Sequence, residues 1–231
     1  MGIRGRMVVA VVMICTFSYQ RIKTYYHIRG RSALDRFGHL YEERMHSPRK
    51  RKDNNMKHQQ LIQLTRTAVL AALTAIATMV IPIPIPGGGY ANAGDIVILI
   101  TAFLLGPLPA AFAAGFGSAA ADLLLGYSAY APGTLLVKGL AGLTAGLLFV
   151  LLKKHLRSFP AMLLSGIAGE LVMVTGYYGF EALILQSAAA AAAGLVPNLL
   201  QGTAGVAGAL VLMPALERTF RLLERPRSSQ E

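Results

Sequence analysis

Few side chains in this sequence are equipped for chemistry, because 54% of it is hydrophobic and only 14% charged. Within its apolar runs stand Lys138, Glu170, Tyr177, Glu181, Asn198 and Gln201, with Asp95 and Asp122 near run ends. Glu170, Val174, Tyr177 and Glu181 are spaced by four, three and four, which puts them on one face of a helix. Asn198 and Gln201, three apart, share a face in the same way. Such groups offer hydrogen bonds and charge to a small polar solute, or carboxylate acid–base chemistry. Other chemistry finds no residues. The five histidines (His27, His39, His46, His58 and His155) all lie outside the apolar runs, so a Ser–His dyad or His-ligated metal within them is excluded. Cys15 is alone, which rules out an internal disulfide or a cysteine metal cluster. No GxxxxGK[ST] occurs, so the chain cannot hold ATP phosphates in the P-loop manner.

Long apolar runs separated by Pro/Gly turns position these groups. Soluble domains carry about 25% charged residues, far more than here. The runs are Leu61–Ile81, a shorter Gly94–Leu105, Leu108–Leu125, Thr134–Leu152, Ala161–Leu185 and about Ala189–Leu216, the last containing Pro197. In lipid every backbone polar group must be satisfied within its own segment, so the runs must be helices. The expectation is an all-α integral membrane bundle of six transmembrane helices. The net charge of +11 raises nucleic-acid binding, but the basic residues sit in a leader and in short loops beside apolar runs, which argues against it. Lys153, Lys154 and Arg157 follow the fourth run, and Arg218, Arg221, Arg225 and Arg227 follow the sixth. The loops near 82–93, 126–133 and 186–189 hold no Lys or Arg, which predicts both termini in the cytoplasm.

With that orientation Lys138, Glu181, Asn198 and Gln201 gather in the outer half of the bundle, with Glu170 nearer mid-depth. Ionisable residues inside spans are costly and face cavities, so the gathering predicts a pocket open to the outside. Plainer readings stay open. Lys138 and Glu181 could simply pair, Asn198 and Gln201 could be interhelical glue, and Asp95 could only cap the second helix. Asp122 is equally ambiguous, and Gly87–Gly89 reads as a lid or plain turn rather than a phosphate cradle. Small residues repeat at four-residue spacing: Ala68/Ala72 and Ala71/Ala75 in the first run, and Ala110/Ala114/Ser118 and Ala111/Gly115/Ala119 in the third. Such strips let helices approach closely, and in the third run internal packing is the favoured reading.

Three domains are expected: a basic leader over 1–56, a six-helix membrane domain over 57–218 and a basic cytoplasmic tail over 219–231. The leader holds 13 of the 22 Lys and Arg residues if Lys57 is counted with it. Its apolar stretch Met7–Phe17 is too short to span and lacks a small-residue cleavage site. Residues 47–55 (SPRKRKDNN) read as solvated linker. Met56 is a second candidate for the true start.

The stretches YANAGDIVILITAFLLGPLPAAFAAGFGSAAADLLLGY (90–127), YAPGTLLVKGLAGLTAGLL (130–148), GELVMVTGYYGFEALIL (169–185) and VPNLLQG (196–202) resemble the substrate-binding (S) components of energy-coupling factor (ECF) transporters of the riboflavin type. The resemblance implies a six-helix bundle in the bacterial plasma membrane that binds a vitamin near the outer surface. It implies lids at Ile83–Asn92 and Gly126–Gly133, which bring Asn92 and Tyr130 to the substrate beside Lys138, Glu170, Tyr177, Glu181, Asn198 and Gln201. It also implies a separate membrane coupling (T) subunit, contacted by Ala68 and Ala72, and two ATPase (A) subunits. No cofactor and no catalysis are expected. Ala141 stands where relatives often carry an acid, so no role is carried over there. Relatives of this type are associated with riboflavin, pyridoxine or the hydroxymethylpyrimidine precursor of thiamine, and the polar cluster favours the smaller rings. Two other readings are a self-contained small-solute facilitator and a membrane enzyme using Glu170 and Glu181.

Overall fold

The computed structural model describes residues 48–80, 82–85 and 90–224, with side chains at 56 and from 58 to 218 within those ranges. Most of the expected leader (including Met7–Phe17), residues 86–89 of the first lid and the tail from Arg225 lie outside the described residues. The chain divides into two compact units between Ile62 and Gln63. The first described helix, α1 (Pro48–Val80), begins well before the expected span. Residues from Pro48 that read as linker are therefore helical. Lys, Arg and Gln are good helix formers, and a proline at the first helical position sacrifices no hydrogen bond. Pro82 follows two residues after the helix ends, where the residue before a proline resists helical geometry.

A short hairpin comes next, pairing β1 (Ile83–Pro84) with β2 (Tyr90–Ala91) antiparallel, Ile83 opposite Ala91. Then come α2 (Gly94–Leu105), α3 (Pro107–Leu125), α4 (Ala131–Leu152) and α5 (Ser158–Ile184). Gly106, at φ 84°, turns the chain between α2 and α3 in a conformation that favours glycine. The sixth expected run is not one helix. It begins with one turn, α6 (Ala188–Ala191), passes through a 3-10 turn at Ala192–Gly194 and continues as α7 (Leu195–Glu224). The restart puts Pro197 in the first turn of α7, where its missing N–H does no harm.

Among the described residues, five helical stretches are long and apolar enough to cross a membrane: His58–Val80, Pro107–Leu125, Ala131–Leu152, Ser158–Ile184 and Ala188–Arg218. With α2 they make the expected all-α six-helix membrane bundle. At 12 residues α2 is about 18 Å long, short of the roughly 30 Å hydrocarbon core. It sits against α3, α4 and α7, with Ile98, Leu99, Thr101 and Ala102 fully enclosed.

Where α3 and α4 meet, small residues face inward while many large ones face outward. On α4, Ala141, Gly142, Ala145 and Gly146 are buried while Leu136, Leu140 and Leu147 are exposed. A Cβ on Gly146 would lie 2.6 Å from Pro107 Cα, and one on Gly142 2.8 Å from the Ala110 carbonyl oxygen. Backbone therefore meets backbone between α3 and α4. A soluble protein hides its large apolar groups, but in lipid nothing drives them inward and close contact holds the helices together. Ala110, Ala114 and Ser118 are buried, as internal packing of the third run requires. Of the first-run strips, Ala71 turns its carbonyl onto Gly117, whereas Ala68 and Ala72 are exposed.

Candidate functional site

The two ends of α4 meet different surroundings. Near its end, Phe149 packs against Phe103, ring centroids 5.0 Å apart, in an apolar cluster with Met162 and Met213. Near its start, Thr134 and Lys138 line a small hollow. Five helices and the hairpin converge there: Thr78 from α1, Ser118 and Asp122 from α3, Tyr177 and Glu181 from α5, Asn198 and Gln201 from α7, and Ile85, Tyr90 and Asn92 from the β1–β2 segment.

The floor is a connected polar network. Lys138 Nζ meets Asp95 Oδ1 at 2.5 Å, with both side chains almost wholly buried. Gln201 Nε2 donates to the other carboxylate oxygen of Asp95 at 2.5 Å, and the Asn92 backbone N–H donates to Gln201 Oε1 at 2.8 Å. Asn92 Oδ1 in turn accepts from the Gly94 N–H at the start of α2. One carboxylate thus joins α2, α4, α7 and the first lid. A buried charge survives only when paired and hydrogen-bonded, and here both conditions hold. Lys138 Nζ also lies 5.6 Å from the Tyr177 ring centroid, within cation–π range, and the Tyr177 hydroxyl donates to Thr134 Oγ1 at 3.0 Å.

Aromatic rings cover the opposite side. Tyr90 packs on Tyr127 at 4.8 Å, Tyr127 meets Tyr130 at 6.4 Å, and Tyr130 meets Phe180 at 5.8 Å. The Tyr90 hydroxyl donates to Asp122 Oδ1 at 2.6 Å. Burial first, then that bond to a carboxylate, pushes the Tyr90 hydroxyl well above its ordinary pKa, so it remains a donor. Burial, helped by the nearby Glu181 charge, raises Tyr130 likewise.

Of the residues singled out in the sequence, Asn92, Tyr130, Lys138, Tyr177, Glu181, Asn198 and Gln201 line this one hollow. Glu170 does not. It lies behind the floor against the glycine face of α7, where a Cβ on Gly202 would come 3.2 Å from its Oε2, an atom without a hydrogen-bond partner. Two readings need correction. Lys138 pairs with Asp95 rather than Glu181, whose carboxylate instead lies against Gly194 of the 3-10 turn. Asp95 is no mere cap, because both its oxygens are taken by side chains from other helices. Thr78, Ser118 and Thr134 went unnoticed as site residues. Ser118 was legible only as part of a packing strip, and a lone threonine in an apolar helix carries no signal of its own. Among the described residues, no three His, Cys, Asp or Glu side chains are grouped to hold a metal ion.

Fold and site together define a multi-pass cell-membrane protein with a polar-lined hollow at one end of its helical bundle. Residues 58–218 match the family described as the S component of ECF-type riboflavin transporters, and the chain belongs to that family. It is the substrate-specific subunit of an ECF importer, which works with membrane T and ATPase subunits. A thiamine precursor transporter, HmpT, of Lactococcus lactis is 33% identical over 71% of this chain and 93% of its own length. An uncharacterised protein of Pyrococcus woesei is 38% identical over 57% of this chain and 85% of its own. The fold is shared with the S component of a bacterial ECF transporter, at a TM-score of 0.53 and 20% identity over 72% of this chain and 99% of that one.

Proposed function

We propose that the hollow captures a single-ring B vitamin or vitamin precursor, of the pyridoxine or hydroxymethylpyrimidine kind, from outside the cell. The observation that carries this reading is the convergence of Lys138, Glu181, Asn198 and Gln201 on one small hollow. A single ring requires less widening of this small, polar-lined hollow than a tricyclic flavin with its polyol chain does. The relationship to a thiamine precursor transporter supports the same choice. Both termini lie in the cytoplasm on this reading, so that the hollow faces outward and the basic loop 153–157 inward. Ala68 and Ala72, exposed on α1, give the T subunit a flat surface to approach, and two ATPase subunits supply the energy.

Equilibrium binding of tritiated vitamins and precursors to the purified chain tests this. We expect a pyridine or pyrimidine alcohol to bind with a Kd in the nanomolar-to-micromolar range; absence of any such ligand would overturn the reading. Flux through the chain alone in liposomes would instead favour a self-contained facilitator. An enzyme built on Glu170 and Glu181 finds little support. Eleven residues separate them, about 16 Å along the helix, and only Glu181 lines the hollow.

A further inference from the structure

We infer that the wall of the hollow between α1 and α3 is a docking edge for the amino group of an uncharged or cationic heteroaromatic ring, and that this wall turns away phosphorylated forms of the same compound. The inference rests on the reading of the hollow as a vitamin site and narrows its substrate class.

Across the chamber the polar groups have already found partners. The charge of Lys138 is neutralised by Asp95, and both ends of the Gln201 amide are engaged. The open valences lie elsewhere. Thr78 Oγ1, Ser118 Oγ and Asp122 Oδ2 are buried, line the hollow and have no hydrogen-bond partner, although the Thr134 hydroxyl stands near Asp122. Their residues are only 1%, 2% and 3% exposed, so bulk water does not satisfy them. A buried acceptor left unmade is expensive, and a carboxylate oxygen more so than a neutral one. Three such atoms on one wall of one hollow mark where a ligand's polar edge belongs.

Their chemistry specifies that edge. Asp122 Oδ1 already accepts from Tyr90, and when the carboxyl is ionised Oδ2 also only accepts, so it calls for an N–H or O–H donor. The two hydroxyls can each donate or accept, and suit a ring nitrogen or a hydroxymethyl group beside the amine. Charge points the same way. Asp122 and Glu181 line the hollow without an ion-pair partner among the described residues, and its lysine is already matched. A phosphate ester entering here would bring negative charge against two carboxylates with no free cation to receive it.

Competition binding to the full chain in detergent decides the matter, using a hydroxymethyl-aminopyrimidine, its desamino analogue, its phosphate ester, pyridoxine and riboflavin. The amino compound should bind about tenfold or more tighter than the desamino analogue, as a charge-assisted hydrogen bond implies. The phosphate ester should bind at least about a hundredfold more weakly, because its charge is desolvated without a partner. Asp122→Asn should abolish most of the amino advantage while leaving the desamino analogue nearly unchanged. If that variant does not fold, the wild-type comparison still decides. Equal binding of the amino and desamino forms, or tight binding of the phosphate ester, overturns the inference and leaves the vitamin reading standing. Riboflavin binding in preference to every single-ring compound overturns both the inference and the single-ring reading it rests on. No binding of any of the five overturns the vitamin reading itself.

Discussion

The two ends of the bundle are equally well buried and chemically opposite. Around Phe103, Phe149, Met162 and Met213 large apolar side chains fill the space between helices, with Met213 at 2% exposure. Some eleven residues earlier on α4, Lys138 is buried still more completely, at 1%, yet the space before it is left hollow. The same Gly/Ala spine runs between them, so the helix contacts alone do not decide where a ligand fits. What differs is how each end is satisfied: one by dispersion and close packing, the other by a network that closes on itself and leaves open valences toward the hollow.

The sharpest break in that comparison is Lys138→Met. It strands the Asp95 carboxylate in a dry interior, and removing one partner of a buried pair costs about 3–5 kcal/mol. Thermal unfolding in detergent should show a larger loss than any other single substitution at either end of the bundle. Adding Asp95→Leu removes the stranded charge, and the double variant should regain most of the stability without regaining ligand binding. A Lys138→Met protein as stable as wild type would mean that the floor is not held by this pair.

A smaller effect is expected at the apolar end. In Gly146→Val the new Cβ meets Pro107 Cα at 2.6 Å, backbone that cannot step aside. Overpacking of this kind costs about 1–3 kcal/mol. The melting temperature should fall while ligand affinity stays within about twofold, since Gly146 is roughly 12 Å along the helix from Lys138. An affinity loss approaching that of Lys138→Met would show that the two ends are one cooperative unit.

The bundle was legible because lipid imposes simple rules: runs of about 20 apolar residues between Pro/Gly turns, and small residues where helices touch. The pocket residues were legible for the same reason, since Lys138, Glu181, Asn198 and Gln201 are conspicuous in apolar runs. Their partners were less so. Asp95 looked like a cap because it opens a helix, but α2 is too short to span, and its first turn meets Lys138 and Gln201 on the floor of the hollow. The length of that run was the available signal. Glu170 shares a helical face with Glu181, but three turns along a helix carry a residue from the hollow to the packing behind it. Helical periodicity reports a face and not a depth. The helical start of α1 at Pro48 was hidden because charge runs read as solvated whether or not they are helical.

The finest test concerns the roof. Tyr90→Phe keeps the ring that packs on Tyr127 and deletes only the hydroxyl that donates to Asp122. A single hydrogen bond is worth about 0.5–1.5 kcal/mol net, so stability should fall by that little, and affinity by about a few-fold. The pH dependence follows from the raised pKa of Tyr90. A group whose folded pKa lies above its unfolded value contributes stability that is fully present below the unfolded value and is lost as pH rises from there through the folded one. The difference between wild type and Tyr90→Phe should therefore hold constant between about pH 6 and 9 and shrink only above about 10, where unfolded tyrosine ionises. Paired thermal melts of the two proteins across that range make the check. A difference that fades near pH 8 would mean that Tyr90 is not enclosed over Asp122, and that the roof stands open where the floor is closed.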